Sequence, residues 1–189
     1  MARPWRAFII LSAREFQMLL LVAEQLPWLY ISLITILGLL VGSFLNVVIH
    51  RLPIMLERSW QQEYRSYFHP EQDTQTLPPY NLIVPRSACP HCGHQIRARE
   101  NIPLLSWIGL RGRCSQCRAA ISPRYPLVEL LCGVMTLVVA YHYPAGVMQW
   151  SAIALSWVLL ALTFIDLDKM LLPDQLTLPL LWLGLLLNT

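Results

Sequence analysis

Charged residues are scarce in this chain. They make up 13% of its 189 residues, against about 25% in an ordinary soluble domain, while 56% of the residues are hydrophobic. Lysine is almost missing, with Lys169 as its single instance, and no glycine-rich fingerprint of a nucleotide-binding Rossmann fold occurs. Because the deficit of charge is concentrated in long apolar runs, an ordinary soluble domain is excluded, and the pattern is typical of a membrane protein.

Apolar runs of about 20 residues, the length that crosses a bilayer core, set the predicted organisation. We predict an all-α polytopic membrane protein with a small insert, whose sequence reads as truncated within its fourth transmembrane helix. The predicted segments are an N-terminal extension at 1–26, transmembrane helices at 27–50, 126–143 and 150–166, an insert at 51–125, an aspartate-bearing segment at 166–175 and a partial transmembrane helix at 176–189.

The boundary between the first span and the insert is predicted at Arg51-Leu52-Pro53, an interfacial stop. Glu57 to Phe68 then reads as a short amphipathic helix, and His69 to Tyr80 as a linker rich in Pro, Gln and Thr. Within the first span, Gly38 and Gly42 lie four residues apart. Small residues at this spacing allow another helix to approach closely.

Four of the five cysteines form two Cys-x-x-Cys pairs in a module of the insert at 86–124. A gap of two residues lets both thiolates of a pair face one ion, and two pairs complete a tetrahedral Zn²⁺ shell. Two disulfides or a redox-active dithiol are the alternatives, and disulfides require an oxidising compartment. Cys132, in an apolar run, is predicted to be a small packing residue. The predicted zinc ligands are Cys89, Cys92, Cys114 and Cys117.

The distribution of arginine predicts the sidedness of the insert. Ten of the thirteen arginines lie between Arg51 and Arg124, and arginine near span ends favours the cytoplasmic side. A cytoplasmic insert favours metal over disulfides and, after an odd number of crossings, places the aspartates after the third span on the same face. Three N-terminal arginines favour the opposite orientation: Arg3, Arg6 and Arg14. We interpret the dispersed arginines of the insert as a solvated face rather than a nucleic-acid-binding ribbon.

Three carboxylates, Asp166, Asp168 and Asp174, cluster where the third span meets the interface. They can end a helix in the headgroup region, or they can carry chemistry, since ionisable groups at membrane depth are costly. In a catalytic pair, an ionised carboxylate activates water while a protonated partner polarises a scissile carbonyl. Asp166 and Asp168 diverge on a helix, so Asp166 needs a partner from elsewhere. Glu129 is interpreted as a helix-start charge rather than a catalyst.

Five motifs in this sequence resemble, in order, those of bacterial type IV prepilin peptidases. The resemblance covers roughly residues 20–188. The motifs are GSFLNVVIHRLP at 42–53, SACPHCGH at 87–94, ENIPL at 100–104, RYPLVEL at 124–130 and IDLDKMLLPDQLTLP at 165–179.

The resemblance implies an aspartic endopeptidase of the bacterial inner membrane that acts at the cytoplasmic interface. Such enzymes remove the leader from type IV prepilins and type II secretion pseudopilins, and bifunctional members N-methylate the new N-terminus with S-adenosylmethionine. It also implies zinc in the four-cysteine insert. By motif, Asp166 is the first catalytic carboxylate, and Asp168 and Asp174 receive no catalytic role. We assign no residue to S-adenosylmethionine.

One departure from the family pattern concerns the second catalytic aspartate, which lies in a Gly-x-Gly-Asp motif that does not occur before Thr189. The chain alone is therefore expected to lack protease activity. Prepilin substrates and membrane lipid are the expected partners, and nucleic acid is not. The alternative function is that of a non-enzymatic zinc-ribbon membrane scaffold.

Overall fold

The structure of the protein is a computed structural model that describes residues 20–68 and 78–188. Five α-helices follow a short helical stretch at 20–25, and the described residues contain no β-strand, which confirms the predicted all-α fold. Residues 1–19 of the predicted extension at 1–26 and most of the predicted linker, 69–77, lie outside the described residues. The helices are α1 Pro27–Phe68, α2 Leu105–Gly109, α3 Arg124–His142, α4 Val147–Lys169 and α5 Asp174–Leu187, with a 3₁₀ turn at Ala98–Asn101.

Three of these helices, α1, α3 and α4, are long and apolar enough to cross a membrane, and α5 is a shorter apolar helix. Within the described chain, α1 packs against α3 and α4, and α3 packs against α4. The chain is therefore a polytopic membrane protein, and the residues between α1 and α3 form the insert.

The helix α1 does not end at the predicted stop. It runs through Arg51, Leu52 and Pro53, all of them buried, and continues to Phe68, so the predicted amphipathic helix is its C-terminal part. Its 42 residues extend about 63 Å, twice the thickness of a bilayer core of about 30 Å. A proline inside a helix removes one hydrogen bond, but here the ring is fully buried, and packing holds the helix together.

The two glycines of α1 face α3, which confirms the predicted close approach of another helix. A Cβ added to Gly42 would lie 2.8 Å from Cα of Glu129 and 2.9 Å from Cβ of Cys132, and one added to Gly38 would collide with the side chain of Thr136. Any larger side chain at these positions would separate the two helices.

Two apolar clusters fill the bundle, one near the insert and one near the opposite end. Cys132 is completely buried in the first cluster, which confirms its predicted packing role. In the second cluster, the hydroxyl of Tyr30 donates to Oε1 of Gln149 (2.6 Å), and Nε2 of Gln149 donates to the carbonyls of Ala140 and Tyr143. This buried polar network, which the sequence pattern did not reveal, locks the three long helices together away from the insert.

Candidate metal centre and candidate catalytic turn

The two Cys-x-x-Cys pairs adopt the same backbone turn, which we call a knuckle. In the first, the amide of Gly93 donates to the carbonyl of Cys89 (2.9 Å), and in the second the amide of Arg118 donates to the carbonyl of Cys114 (3.1 Å). Gly93 and Arg118 both have left-handed backbone, with φ of +70° and +57°. Glycine adopts this conformation without steric cost. Because each knuckle turns the same way, its two cysteine side chains point to one side.

The four thiols converge on one point. All four Sγ atoms lie within 4.8 Å of one another, with Cys89 and Cys117 separated by 3.7 Å and Cys92 and Cys114 by 3.9 Å. A Zn–S bond of about 2.3 Å in a tetrahedral shell gives an S–S edge of about 3.8 Å, whereas a disulfide bond is about 2.05 Å long. The described cysteines are all free thiols. The cluster can therefore hold one tetrahedral metal ion.

Backbone amides favour the thiolate form that a metal requires. The amides of Cys92 and His91 lower the pKa of Cys89 to about 7, and the pKa of Cys114 is lowered in the same way, first by the amide of Cys117. The pKa of Cys117 is raised to about 11: an amide at the end of its knuckle lowers it, but burial and the neighbouring thiols raise it. A metal ion binds the thiolate form, so its binding displaces the remaining thiol protons.

Glu100 connects the two knuckles. Its Oε2 accepts a hydrogen bond from the amide of Arg97 (2.9 Å) and lies 3.2 Å from Nε2 of His94 in the first knuckle. The Arg97 amide, the hydroxyl of Ser115 in the second knuckle and His94 together lower the pKa of Glu100 to about 2. Since the folded pKa lies below the ordinary value of about 4.3, the stabilisation is present at neutral pH and is lost as the pH falls through that range towards 2.

Hydrogen bonds attach the insert to the membrane helices. Oε2 of Glu129 accepts from the amide of Leu104 (2.8 Å), and Nη1 of the buried Arg51 donates to a carbonyl of the 81–84 turn. Beside them, Nδ2 of Asn46 donates to the carbonyl of Tyr125 (3.1 Å) and joins α1 to the start of α3. Glu129 is buried within the second turn of α3 and anchors the insert, which differs from the interpretation as a helix-start charge. Three of the five sequence motifs, at 42–53, 100–104 and 124–130, thus meet at this junction.

Asp166 lies in the last turn of α4 with its side chain exposed. The preceding residue, Ile165, is completely buried, so the helix is held with Asp166 facing away from the core. The carbonyl of Asp166 accepts from the amide of Met170 (2.8 Å), whose left-handed backbone ends the helix. Within the described chain no hydrogen bond or ion pair engages the Asp166 carboxylate, which leaves it accessible to water or to a peptide.

The other two aspartates of the cluster have different surroundings. Asp168 receives a two-pronged ion pair from Arg124, with N–O distances of 2.7 and 2.6 Å. Asp174 is exposed in the first turn of α5, where the helix dipole favours a negative charge. The structure therefore does not bring the three carboxylates together. The sequence pattern had marked Arg124 as part of a motif but had not revealed that it contacts Asp168.

Because Arg124 begins α3 and Asp168 lies near the end of α4, the insert and Asp166 lie at the same end of the bundle. Lys169 and Glu57 form a further ion pair at this end (2.9 Å), between α4 and α1. The candidate metal centre and the candidate catalytic turn therefore lie at the same end of the molecule.

This fold and these residues define a polytopic membrane protein with an insert whose four cysteines can hold a metal ion and with an exposed aspartate at the same end. Comparison with known families is specific. Residues 36–143 match the family described as "Bacterial Peptidase A24 N-terminal domain", and residues 153–189 match the "Type IV leader peptidase family". The chain belongs to the bacterial A24 peptidases, which confirms the resemblance found in the five motifs.

Curated relatives carry the name "Prepilin leader peptidase/N-methyltransferase". One from Aeromonas hydrophila is 66% identical over 171 residues, which is 90% of this chain and 59% of the relative. Others from Stutzerimonas stutzeri and Pseudomonas aeruginosa are 54% and 51% identical, each over 86% of this chain and 56% of the relative. The chain thus spans less than two thirds of the length of these relatives. No solved structure matches it.

Proposed function

We propose that this chain supplies the first catalytic carboxylate and the zinc module of a prepilin leader peptidase and N-methyltransferase. The enzyme cleaves the leader of type IV prepilins and type II secretion pseudopilins, then methylates the new N-terminus with S-adenosylmethionine as donor. The family match and the relatives' shared name support this function. The structural observation that carries it is the exposed Asp166 carboxylate, which has no partner in the described chain, next to an Asp168 neutralised by Arg124.

The chemistry that fits Asp166 is activation of water. An aspartic peptidase needs one ionised carboxylate to take a proton from water and one protonated carboxyl to polarise the scissile carbonyl. Asp168 is poorly suited to either role because the Arg124 guanidinium occupies both of its oxygens. Since no second carboxylate bonds to Asp166 in the described residues, we propose that the 189-residue chain by itself does not cleave prepilin. Cleavage by the purified chain would contradict this.

For the metal centre, the proposed occupant is Zn²⁺ bound by Cys89, Cys92, Cys114 and Cys117. The sulfur separations fit the tetrahedral edge expected for zinc and thiolate. A closed shell of four thiolates leaves no coordination position for water or substrate, so the ion's role is structural. It would hold the insert over the end of the bundle where Asp166 lies.

We further propose that the insert and Asp166 face the cytoplasm, in the bacterial inner membrane. Arginine is concentrated in the insert, and arginine near span ends favours the cytoplasmic side. Cysteines that bind a metal as thiolates must stay reduced, as they do in the cytoplasm. Several of these arginines have intramolecular partners: Arg51 binds the 81–84 turn, Arg58 stacks on Tyr80 and Arg124 binds Asp168. These contacts support a structural use of the arginines rather than nucleic-acid binding. Labelling of an introduced cysteine from the outside of cells would contradict the sidedness.

The catalytic role of Asp166 is tested in a chimera, in which the matching segment of the Aeromonas hydrophila relative is replaced by this chain. The Asp166→Asn variant keeps the shape but cannot accept a proton from water, so leader cleavage should fall to background. Asp174→Asn is the matched control and should retain cleavage. Full activity of the Asp166→Asn chimera would refute the catalytic role and favour the zinc-ribbon scaffold.

A further inference from the structure

Arg124, at the start of α3, contacts the turn of α4 that carries Asp166. The Arg124 guanidinium binds both carboxylate oxygens of Asp168 (2.7 and 2.6 Å), and its Nη2 also lies 3.4 Å from the carbonyl of Phe164. Its Cζ is 5.1 Å from the centre of the Phe164 ring. Arg124 therefore contacts the residues two positions before and two positions after Asp166.

A contact on both sides of Asp166 matters because the last turn of a helix is its weakest part. The final carbonyls have no partner within the helix, and helix ends fray. The Asp166 carboxylate makes no hydrogen bond of its own in the described chain, so its place depends on the turn that carries it. Ile165 fixes the inner face of this turn by burial, and Arg124 makes polar contacts to Phe164 and Asp168 on either side of Asp166.

We propose that Arg124 is a positioning residue that holds the Asp166 turn in its reactive orientation. This rests on the proposed function, since positioning matters only if Asp166 is catalytic. Arg124 is also the residue at which the chain passes from the insert into α3, and its amide donates to Oγ of Ser122 (3.3 Å). Arg124 therefore connects the end of the insert to the turn that carries Asp166.

The geometry requires arginine in particular. A planar guanidinium can engage two carboxylate oxygens at once, reach a carbonyl and stack on a ring, whereas a lysine ammonium is a point charge that cannot do all of these together. Both partners are 38% exposed, so the pair is partly screened and its contribution to overall stability is small. Its effect is expected on the orientation of one turn rather than on folding.

The first experiment measures that orientation in the 189-residue chain itself, held in nanodiscs. Hydrogen exchange of the Met170 amide, which bonds to the Asp166 carbonyl, reports whether the turn is closed. Arg124→Gln should accelerate this exchange. Glu57→Gln is the matched control, because it breaks the Lys169–Glu57 ion pair at the same helix end (2.9 Å, with similar exposure) and leaves the contacts of Arg124 with Phe164 and Asp168 in place.

The second experiment measures cleavage kinetics in the chimera. Because a displacement of about 1 Å can lower a rate about 10²-fold, Arg124→Gln should reduce kcat by about that factor. It should leave KM and the zinc content unchanged, since Arg124 touches neither substrate nor metal. Arg124→Lys should recover part of kcat. If Arg124 acts through Asp168, the Arg124→Gln/Asp168→Asn double variant should be no slower than the slower single variant.

Two results would overturn the proposal. One is a wild-type kcat in Arg124→Gln while Asp166→Asn is inactive, which would leave the proposed function intact. The other is an equal loss of kcat in Glu57→Gln, which would show a general effect of charge at this end of the bundle. Full cleavage by the Asp166→Asn chimera would instead refute the proposed function itself.

Discussion

The membrane bundle and the cysteine module are stabilised by different forces. In the bundle, completely buried side chains from three helices interdigitate, and glycines let α1 and α3 approach closely. The module, in contrast, has a 3₁₀ turn, the five-residue α2 and two isolated β-bridges, and its buried side chains are those of Pro103 and Cys114. Helix packing is sufficient for the first region, whereas the second lacks a core of its own and needs a metal or another cross-link.

This difference explains where the candidate catalytic aspartate lies. Asp166 is on the bundle, at the same end as the module, where hydrogen bonds of Glu129 and Arg51 attach the module to the helices. The buried core holds the inner face of the helix end, and Arg124 contacts the turn that carries Asp166. Four changes test this comparison, from the largest expected effect to the smallest.

Loss of the metal should separate the two regions most clearly. In Cys92→Ser the four-thiolate shell is broken, and because structural zinc contributes about 10–16 kcal/mol to small zinc modules, the insert should unfold while the bundle remains helical. Metal analysis and limited proteolysis of the insert would measure this. The matched control is Cys132→Ser, which removes a thiol from the bundle and should retain about one zinc per chain. Equal zinc in Cys92→Ser would disprove the four-thiolate site.

Overpacking the bundle should destabilise the helices and leave the module intact. Gly42→Val places a side chain against the backbone of Glu129, and such overpacking typically costs about 1–3 kcal/mol. The thermal unfolding temperature of the bundle should fall, with zinc content unchanged. Gly184→Val, at a site with no neighbour within 4 Å, should have little effect. Similar stability of both variants would show that α1 and α3 tolerate wider separation.

The junction itself is tested at Glu129. Glu129→Ala leaves the Leu104 amide without its acceptor, and an unpaired buried donor costs about 1–3 kcal/mol. Exchange of the Leu104 amide should therefore accelerate while helix α3 stays protected. Glu129→Gln keeps an acceptor oxygen and should lie close to wild type. Unchanged exchange in Glu129→Ala would mean that the module is attached mainly by its other contacts.

The smallest effect is expected within the module, at the link between the knuckles. Glu100→Ala removes the acceptor shared by Arg97, His94 and Ser115, so a chelator should extract zinc faster at pH 7, by about tenfold as for other groups around a metal shell. Glu63→Ala, an exposed change on α1, is the control. Identical release from both variants would show that the four thiolates alone hold the knuckles together.

Much of this architecture followed from the sequence because the relevant signals are local. Runs of apolar residues predicted α1, α3 and α4, the Cys-x-x-Cys spacing predicted the thiol cluster, and Gly38 with Gly42 predicted a close helix contact. The sequence did not reveal that α1 continues as one helix beyond Arg51-Leu52-Pro53, because this tripeptide resembles an interfacial stop until packing shows that all three side chains are buried. The Tyr30–Gln149 network joins residues 119 positions apart, and no local pattern indicates such a pair.

The sequence by itself determined which segments can enter a membrane, which cysteines can share an ion and which aspartate matches the family's catalytic motif, since hydropathy, ligand spacing and motif are properties of short stretches. Only the tertiary structure decided how the motifs combine. In the folded chain Glu129 accepts a hydrogen bond from the amide of Leu104, and Arg124 forms an ion pair with Asp168. Asp166 stays exposed beside that ion pair. These contacts arise from packing α1, α3 and α4 around a common core, which brings together residues that are 25 to 44 positions apart in the chain.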